Sequence, residues 1–161
     1  TILKGYRMAV HDAQWIFQVD SDNEMEARHF KKIWEVREGC DAVIGARDGR
    51  RQPLARKIVS MISRLIVAFF YGAGIADVNC PFRLMRADVL KQILSRIPDD
   101  TFAPNVAIAG LLVLQKKTIR NVPIPHSERR TGEVSIKKWK LFKAAMKSCL
   151  QTVRIRFQKN T

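Results

Sequence analysis

Asp20, Asp22, Glu24 and Glu26 place four carboxylates within seven positions, directly after the apolar run Trp15 to Val19. Like charges this close repel one another, so the cluster needs a reason. One reason is a polar turn in which an Asp or Ser caps the next helix. The other is a divalent cation. Residues i and i+2 of an extended segment point to the same side, so Asp20 and Asp22 can face one ion. Hard carboxylate oxygens suit Mg²⁺ or Mn²⁺, with substrate phosphates completing the shell. Glu24 then stands as a third ligand, directly or through water. Glu26 better suits the N-terminus of the following helix.

Other signatures of chemistry are absent. The chain contains no G-x-x-x-x-G-K-[ST], G-x-G-x-x-G, H-E-x-x-H or G-x-S-x-G. Of its three histidines, only His126, just before Arg129, is placed for a site. The three cysteines form no C-x-x-C pair. That argues against a disulfide framework or zinc site and for a reducing compartment.

The acids are the more pointed because the chain is basic. It carries 29 Lys or Arg against 15 Asp or Glu, a formal charge of +14. From His126 to Thr161 there are ten Lys or Arg against two acids, a balance of +8. Such a tail seeks phosphate, in nucleic acid or at an anionic membrane surface.

The elements that must position these groups follow from periodicity. Residues 3–13 read as helix, 15–19 as a buried strand ending at Asp20, 25–38 as helix, and 41–47 as a strand ending near Arg47. Strand, helix, strand over this span predicts an α/β layer with a mostly parallel sheet. Ligands of such sheets sit beyond the carboxyl ends of the strands, so one crevice can hold Asp20 and Arg47. Residues 53–75 form a helix opened by Pro53 and closed by Gly72 and Gly74. Arg56, Lys57 and Arg64 interrupt its apolar run, which is too short to span a bilayer. It reads as a core helix or as one touching the membrane interface. A loop or strand and a helix follow over 80–94, then a helix over 105–117, a strand over 118–124 and a polar loop over 126–138.

From Lys137 the chain is amphipathic. Trp139, Phe142, Met146, Cys149, Leu150, Val153 and Phe157 recur at helical spacing, with Lys140, Lys143, Lys147 and Arg154 opposite. This helix either docks on the core with a solvated basic face or lies among lipid headgroups, and both can hold at opposite faces.

Four ordered segments resemble family 2 glycosyltransferases. "WIFQVDSDNEM" (15–25) resembles their metal-binding strand end, and "DAVIGAR" (41–47) their next strand. "DVNCPFRLMR" (77–86) is similar to their D-x-x-x-G-F-R segment, with Pro81 at the Gly position. "VPIPHSERRTGEVSI" (122–136) resembles their V-P-I … R-x-x-G-x-S loop. The nearest pattern is that of polyprenyl-phosphate sugar transferases of the dolichyl-phosphate mannose synthase type. The resemblance implies a nucleotide-diphospho-sugar transferase-like fold, truncated, whose first strand and nucleoside-binding acids would precede Thr1. It implies that Asp20 and Asp22, with Glu24, hold Mg²⁺ or Mn²⁺ on the diphosphate of a nucleotide-sugar. Arg47, Arg56, Ser60, Arg83 and Ser135 fall at phosphate- or substrate-facing positions, as does Arg129, which the resemblance makes catalytic together with Asp77. Asp77 falls near the acceptor, as general base if that acceptor is a hydroxyl.

The reading that results is a partial catalytic domain over 1–136 and a basic amphipathic helix over 137–161. It would transfer sugar, with inversion, to a polyprenyl phosphate or a cell-surface glycan, working in the cytoplasm at an anionic membrane surface. The competing readings are a basic nucleic-acid-binding module and an inactive membrane-associated fragment. Against nucleic acid, the tail has few aromatics spaced for base stacking and the acidic cluster would repel a backbone.

Overall fold

The computed structural model describes residues 2–22, 24–48, 54–127 and 138–158. A four-stranded sheet carries helices α1 (Ile2–Ala9), α2 (Phe30–Trp34), α3 (Leu54–Tyr71), α4 (Ala87–Leu94), α5 (Pro104–Leu114) and α6 (Lys138–Phe157). The strands are β1 (Trp15–Gln18), β2 (Ala42–Asp48), β3 (Arg83–Arg86) and β4 (Ile119–Pro125), in the spatial order β1-β3-β2-β4.

The α/β class holds, and the strand directions refine it. β1, β2 and β4 run the same way, as expected for an α/β layer. The hydrogen-bonded pairs do not follow the mostly parallel expectation, because β3 inserts antiparallel between β1 and β2. Among the described residues, only β2 and β4 pair in parallel. The cause is the segment before α4, where apolar Phe82, Leu84 and Met85 fill the sheet's centre almost without exposure. Gly45 lets β2 approach: its N–H donates to the Phe82 carbonyl at 2.8 Å, and a Cβ there would lie 2.9 Å from that oxygen.

Two helices show what the apolar pattern does. α5 is apolar on all sides, and Asn105 through Leu112 are buried in it. Pro104 opens it at a position where no N–H is needed. α2 is shorter than its pattern predicts, a single 3₁₀ turn (Ala27–His29) running into five α residues. Arg37 stops it, donating to the Trp34 carbonyl at 2.8 Å while stacking on the Trp34 ring. Among the described residues, no helix is long and apolar enough to cross a membrane.

α6 docks on α3 and α5, but not by the face its apolar spacing predicts. Ser148, Thr152 and Ile155 are buried, whereas Met146, Leu150 and Phe157 are exposed. The inner face is held by polar contacts as well as by Ile155: the Tyr71 hydroxyl donates to the Thr152 carbonyl, and Arg156 Nε donates to the Phe70 carbonyl at 2.9 Å. The side chains of Trp139, Lys140 and Phe142 lie outside the described residues.

Candidate active site

The topology gathers four chain segments at one end of the sheet. β1, β2 and β4 all finish there, and β3, running against them, starts there. The loop after β1 brings Asp20, Asp22 and Glu24, and the end of β2 brings Arg47. The loop before β3 brings Asp77, and the exit of β4 brings His126 and Ser127.

The acidic loop folds on itself and onto β4. Asp22 Oδ1 accepts the Glu24 N–H at 3.2 Å, a side-chain turn typical of Asp. Glu24 Oε2 meets His126 Nε2 at 3.2 Å, and the Ser127 N–H donates to the Glu24 carbonyl at 2.9 Å. The His126 N–H in turn donates to the Asp48 carbonyl at 3.1 Å. Burial pushes the Asp20 carboxyl above its ordinary pKa, and the charges of Asp22 and Glu24 add to the shift against Arg47 and Arg83. The charge of Asp22 thus acts on Asp20 within the cluster the sequence marked. Glu24, whose charge also acts on Asp20, contacts His126, and among the described residues no three His, Cys, Asp or Glu side chains converge to hold a metal.

Arg47 lies nearby in a bidentate pair with Asp77, Nε to Oδ2 at 2.6 Å and Nη2 to Oδ1 at 2.9 Å. Its side chain is 9% exposed. Burial opposes its charge, but the hydrogen bonds and field of Asp77 outweigh burial and hold its pKa above the usual arginine range. The pair borders a cavity of about 800 Å³. Ser60 lines the same cavity from α3, as the sequence predicts. Ser63 and Arg64 line it too, though the sequence reading passed over both. Their signal was legible: residues 60, 63 and 64 share one helix face by i, i+3, i+4 spacing.

Arg83 is a correction. Expected at a phosphate, it is completely buried. Its Nε donates to the Cys80 carbonyl at 2.9 Å, Nη1 to the Asn105 carbonyl at 3.1 Å and Nη2 to the Val78 carbonyl at 3.5 Å. As the first residue of the central strand it points inward and clasps the loop that carries Asp77. Arg129 and Ser135 lie outside the described residues, as does the Arg56 side chain.

No family model matches the chain. Individual curated proteins do. An undecaprenyl-phosphate 4-deoxy-4-formamido-L-arabinose transferase of Pectobacterium carotovorum is 26% identical over 96% of this chain and 46% of its own length. A counterpart from Salmonella paratyphi B is 27% identical over 88% of the chain and 42% of its own length. An undecaprenyl-phosphate mannosyltransferase of Micrococcus luteus is 27% identical over 73% of the chain and 51% of its own length. The relatives are undecaprenyl-phosphate sugar transferases. The chain spans about half the length of these transferases. The match covers most of the chain at low identity, and it agrees with the glycosyltransferase resemblance of the four sequence segments.

Proposed function

We propose that this chain is part of a glycosyltransferase catalytic domain that moves a sugar from a nucleotide-sugar to a polyprenyl phosphate, with inversion. The observation that carries the reading is the convergence of an anionic pair, Asp20 and Asp22, with the Arg47–Asp77 pair and its cavity at one sheet end. The residues fit a divalent cation in their donor type. Asp20 and Asp22 offer two carboxylates, and the diphosphate of a donor would complete a shell of oxygens. Bound Mg²⁺ or Mn²⁺ would supply stabilisation of the charge that develops on the leaving nucleoside diphosphate.

The remaining work falls to the chain's own groups. Asp77 holds both arms of Arg47, so the guanidinium is fixed in place toward the cavity. A phosphate acceptor arrives already ionised and needs no base, so Asp77 serves as the orienting partner of Arg47 rather than as a proton acceptor. Arg47, Ser60 and Arg64 supply donors to that phosphate. Arg56, Arg129 and Ser135 add to this set in the proposal. The outward face of α6, with Lys143, Lys147 and Arg154 among exposed Met146, Leu150 and Phe157, rests on an anionic membrane surface.

The test is binding and transfer together. With Mn²⁺ present, the protein should bind nucleoside diphosphate and transfer labelled sugar from a nucleotide-sugar panel to undecaprenyl phosphate. Asp22→Asn should lose Mn²⁺-dependent binding while its circular dichroism and melting curve stay unchanged. Undiminished Mn²⁺ binding by that variant would overturn the metal assignment.

A further inference from the structure

The loop that carries Asp77 is held on both sides of that residue, and only one of the two holds lies in the core. After Asp77, the buried Arg83 grips the carbonyls of Val78 and Cys80. Before Asp77, the hold is Asn121, an exposed residue of β4. Its Oδ1 accepts the Ala76 N–H at 2.9 Å, and its Nδ2 donates to the Gly74 carbonyl at 2.8 Å. A primary amide carries acceptor and donor side by side, so one side chain pairs with the turn as a strand edge would.

The turn needs such a fastening. Gly72 and Gly74 take φ values of 109° and 147°, a region that leaves the chain little restraint of its own. Among the described residues, positions 73–76 form no backbone-to-backbone hydrogen bond. The two bonds from Asn121 supply what the backbone does not. The frame that results is closed. Arg47 sits on β2 and Asn121 on β4, and these strands pair with Ile44 opposite Asn121 and Arg47 opposite Ile124. From Asn121 the path runs through the Ala76 N–H to Asp77, and from both Asp77 carboxylate oxygens to Nε and Nη2 of Arg47. Both ends of the ion pair are thereby referred to one strand pair. A bidentate pair is demanding in geometry, so a turn that drifts takes the guanidinium with it.

We propose that Asn121 is a positioning residue: by pinning the turn at 74–76 it sets Asp77, and through Asp77 it aims the Arg47 guanidinium at a phosphate in the adjoining cavity. The phosphate rests on the transferase reading above, whereas the pinning of Arg47 stands on the hydrogen bonds alone. Arg83 cannot be tested cleanly for such a role, because its removal strands buried carbonyls. Asn121 can, because an exposed side chain usually costs the fold little.

The test reads Arg47 directly. In the full chain carrying isotope-labelled arginine, the Arg47 Nε–H signal is the one that Arg47→Lys removes. Asn121→Ala should speed hydrogen exchange at that group about tenfold, the loss of two exposed hydrogen bonds. The other protected arginine signals and the melting curve should stay as in the parent. Asn121→Asp keeps an acceptor for the Ala76 N–H but offers the Gly74 carbonyl no donor, so its exchange should fall between. It also serves as the test if the alanine variant does not fold. Exchange at Arg47 that neither variant alters would overturn the proposal. A general rise at every protected arginine would overturn it too, by making Asn121 structural. In sugar transfer to undecaprenyl phosphate, Asn121→Ala should raise KM several-fold with kcat little changed, the mark of lost binding. A fall in kcat at unchanged KM would overturn the link to phosphate. The two layers separate by readout. A chain that transfers no sugar, but whose Arg47 exchange answers to Asn121, keeps the pinning and sinks the transferase reading. Transfer with an unresponsive Arg47 sinks the pinning alone.

Discussion

α5 and α6 pack against each other, yet they spend their apolar residues in opposite ways. In α5 the apolar residues surround the axis and are buried, with Ile108, Leu111 and Leu112 wholly inside. In α6 the buried side includes Ser148 and Thr152, while Met146, Leu150 and Phe157 face out among lysines and arginine. A helix that turns Ser and Thr inward and Leu and Phe outward has apolar side chains that folding does not use. The same holds for α3, whose Ile58, Met61, Leu65 and Phe69 are exposed at helical spacing. Exposed apolar stripes of this kind mark a surface meant to meet something.

The comparison breaks most readily in the core. Leu111→Ala in α5 should cost about 2–5 kcal/mol of stability, read as a lower urea midpoint at unchanged slope. Leu150→Ala in α6 should stay within about 0.5 kcal/mol of the parent. Equal losses from the two would mean that α6 is as much a core element as α5. The next largest effect concerns the arginines. Arg83→Met strands the carbonyls of Cys80 and Asn105 and should cost about 2–3 kcal/mol by the same measurement. Arg47→Met should act mainly on phosphate affinity, and a variant that melts early but binds phosphate normally would make Arg47 structural.

A smaller effect tests the outward face. Met146→Ala with Leu150→Ala should weaken binding to anionic vesicles, read by sedimentation, about thirtyfold, since two half-exposed side chains supply about 1 kcal/mol each. High salt should weaken binding without abolishing it, because the apolar part is not screened. Steeply salt-dependent binding to duplex or single-stranded DNA with no vesicle association would instead favour a nucleic-acid surface.

The smallest effect is electrostatic. The folded state raises the Asp20 pKa, so its ionised form is disfavoured there relative to the unfolded chain. That unfavourable contribution is present at neutral pH and is relieved as pH falls through the raised carboxyl range. Asp20→Asn should therefore stabilise slightly at neutral pH, with the gain shrinking on acidification. A gain that grows toward acid would show that Asp20 is not crowded by its neighbours.

The order of elements was readable because period-2 and period-3.6 patterns are local, and β1, β2, β4, α3, α5 and α6 fall where those patterns put them. Asp20 and Arg47 also share one end of the sheet as the strand ends implied. What escaped depends on distance in the fold. Nothing near Arg83 in the chain says that it lies on a strand between two others, so its charge read as a phosphate contact. The spacing of Met146, Leu150 and Phe157 described an apolar face without saying which way it turns. The Glu24–His126 contact joins residues that only the exit of β4 brings together.

The insertion of β3 between β1 and β2 has a consequence in time. Asp20, Asp22 and Arg47 are encoded in the first third of the chain, but β1 and β2 never bond to each other. They become neighbours only through β3, which comes much later. His126 reaches Glu24 only after β4 has paired with β2. A nascent chain leaving the ribosome therefore carries these residues well before it carries the candidate site they form. Assembly waits on long-range pairing, the slow class of contact in folding. Until that pairing closes, the acids and the arginines lack the neighbours that shift their ionisation in the folded protein.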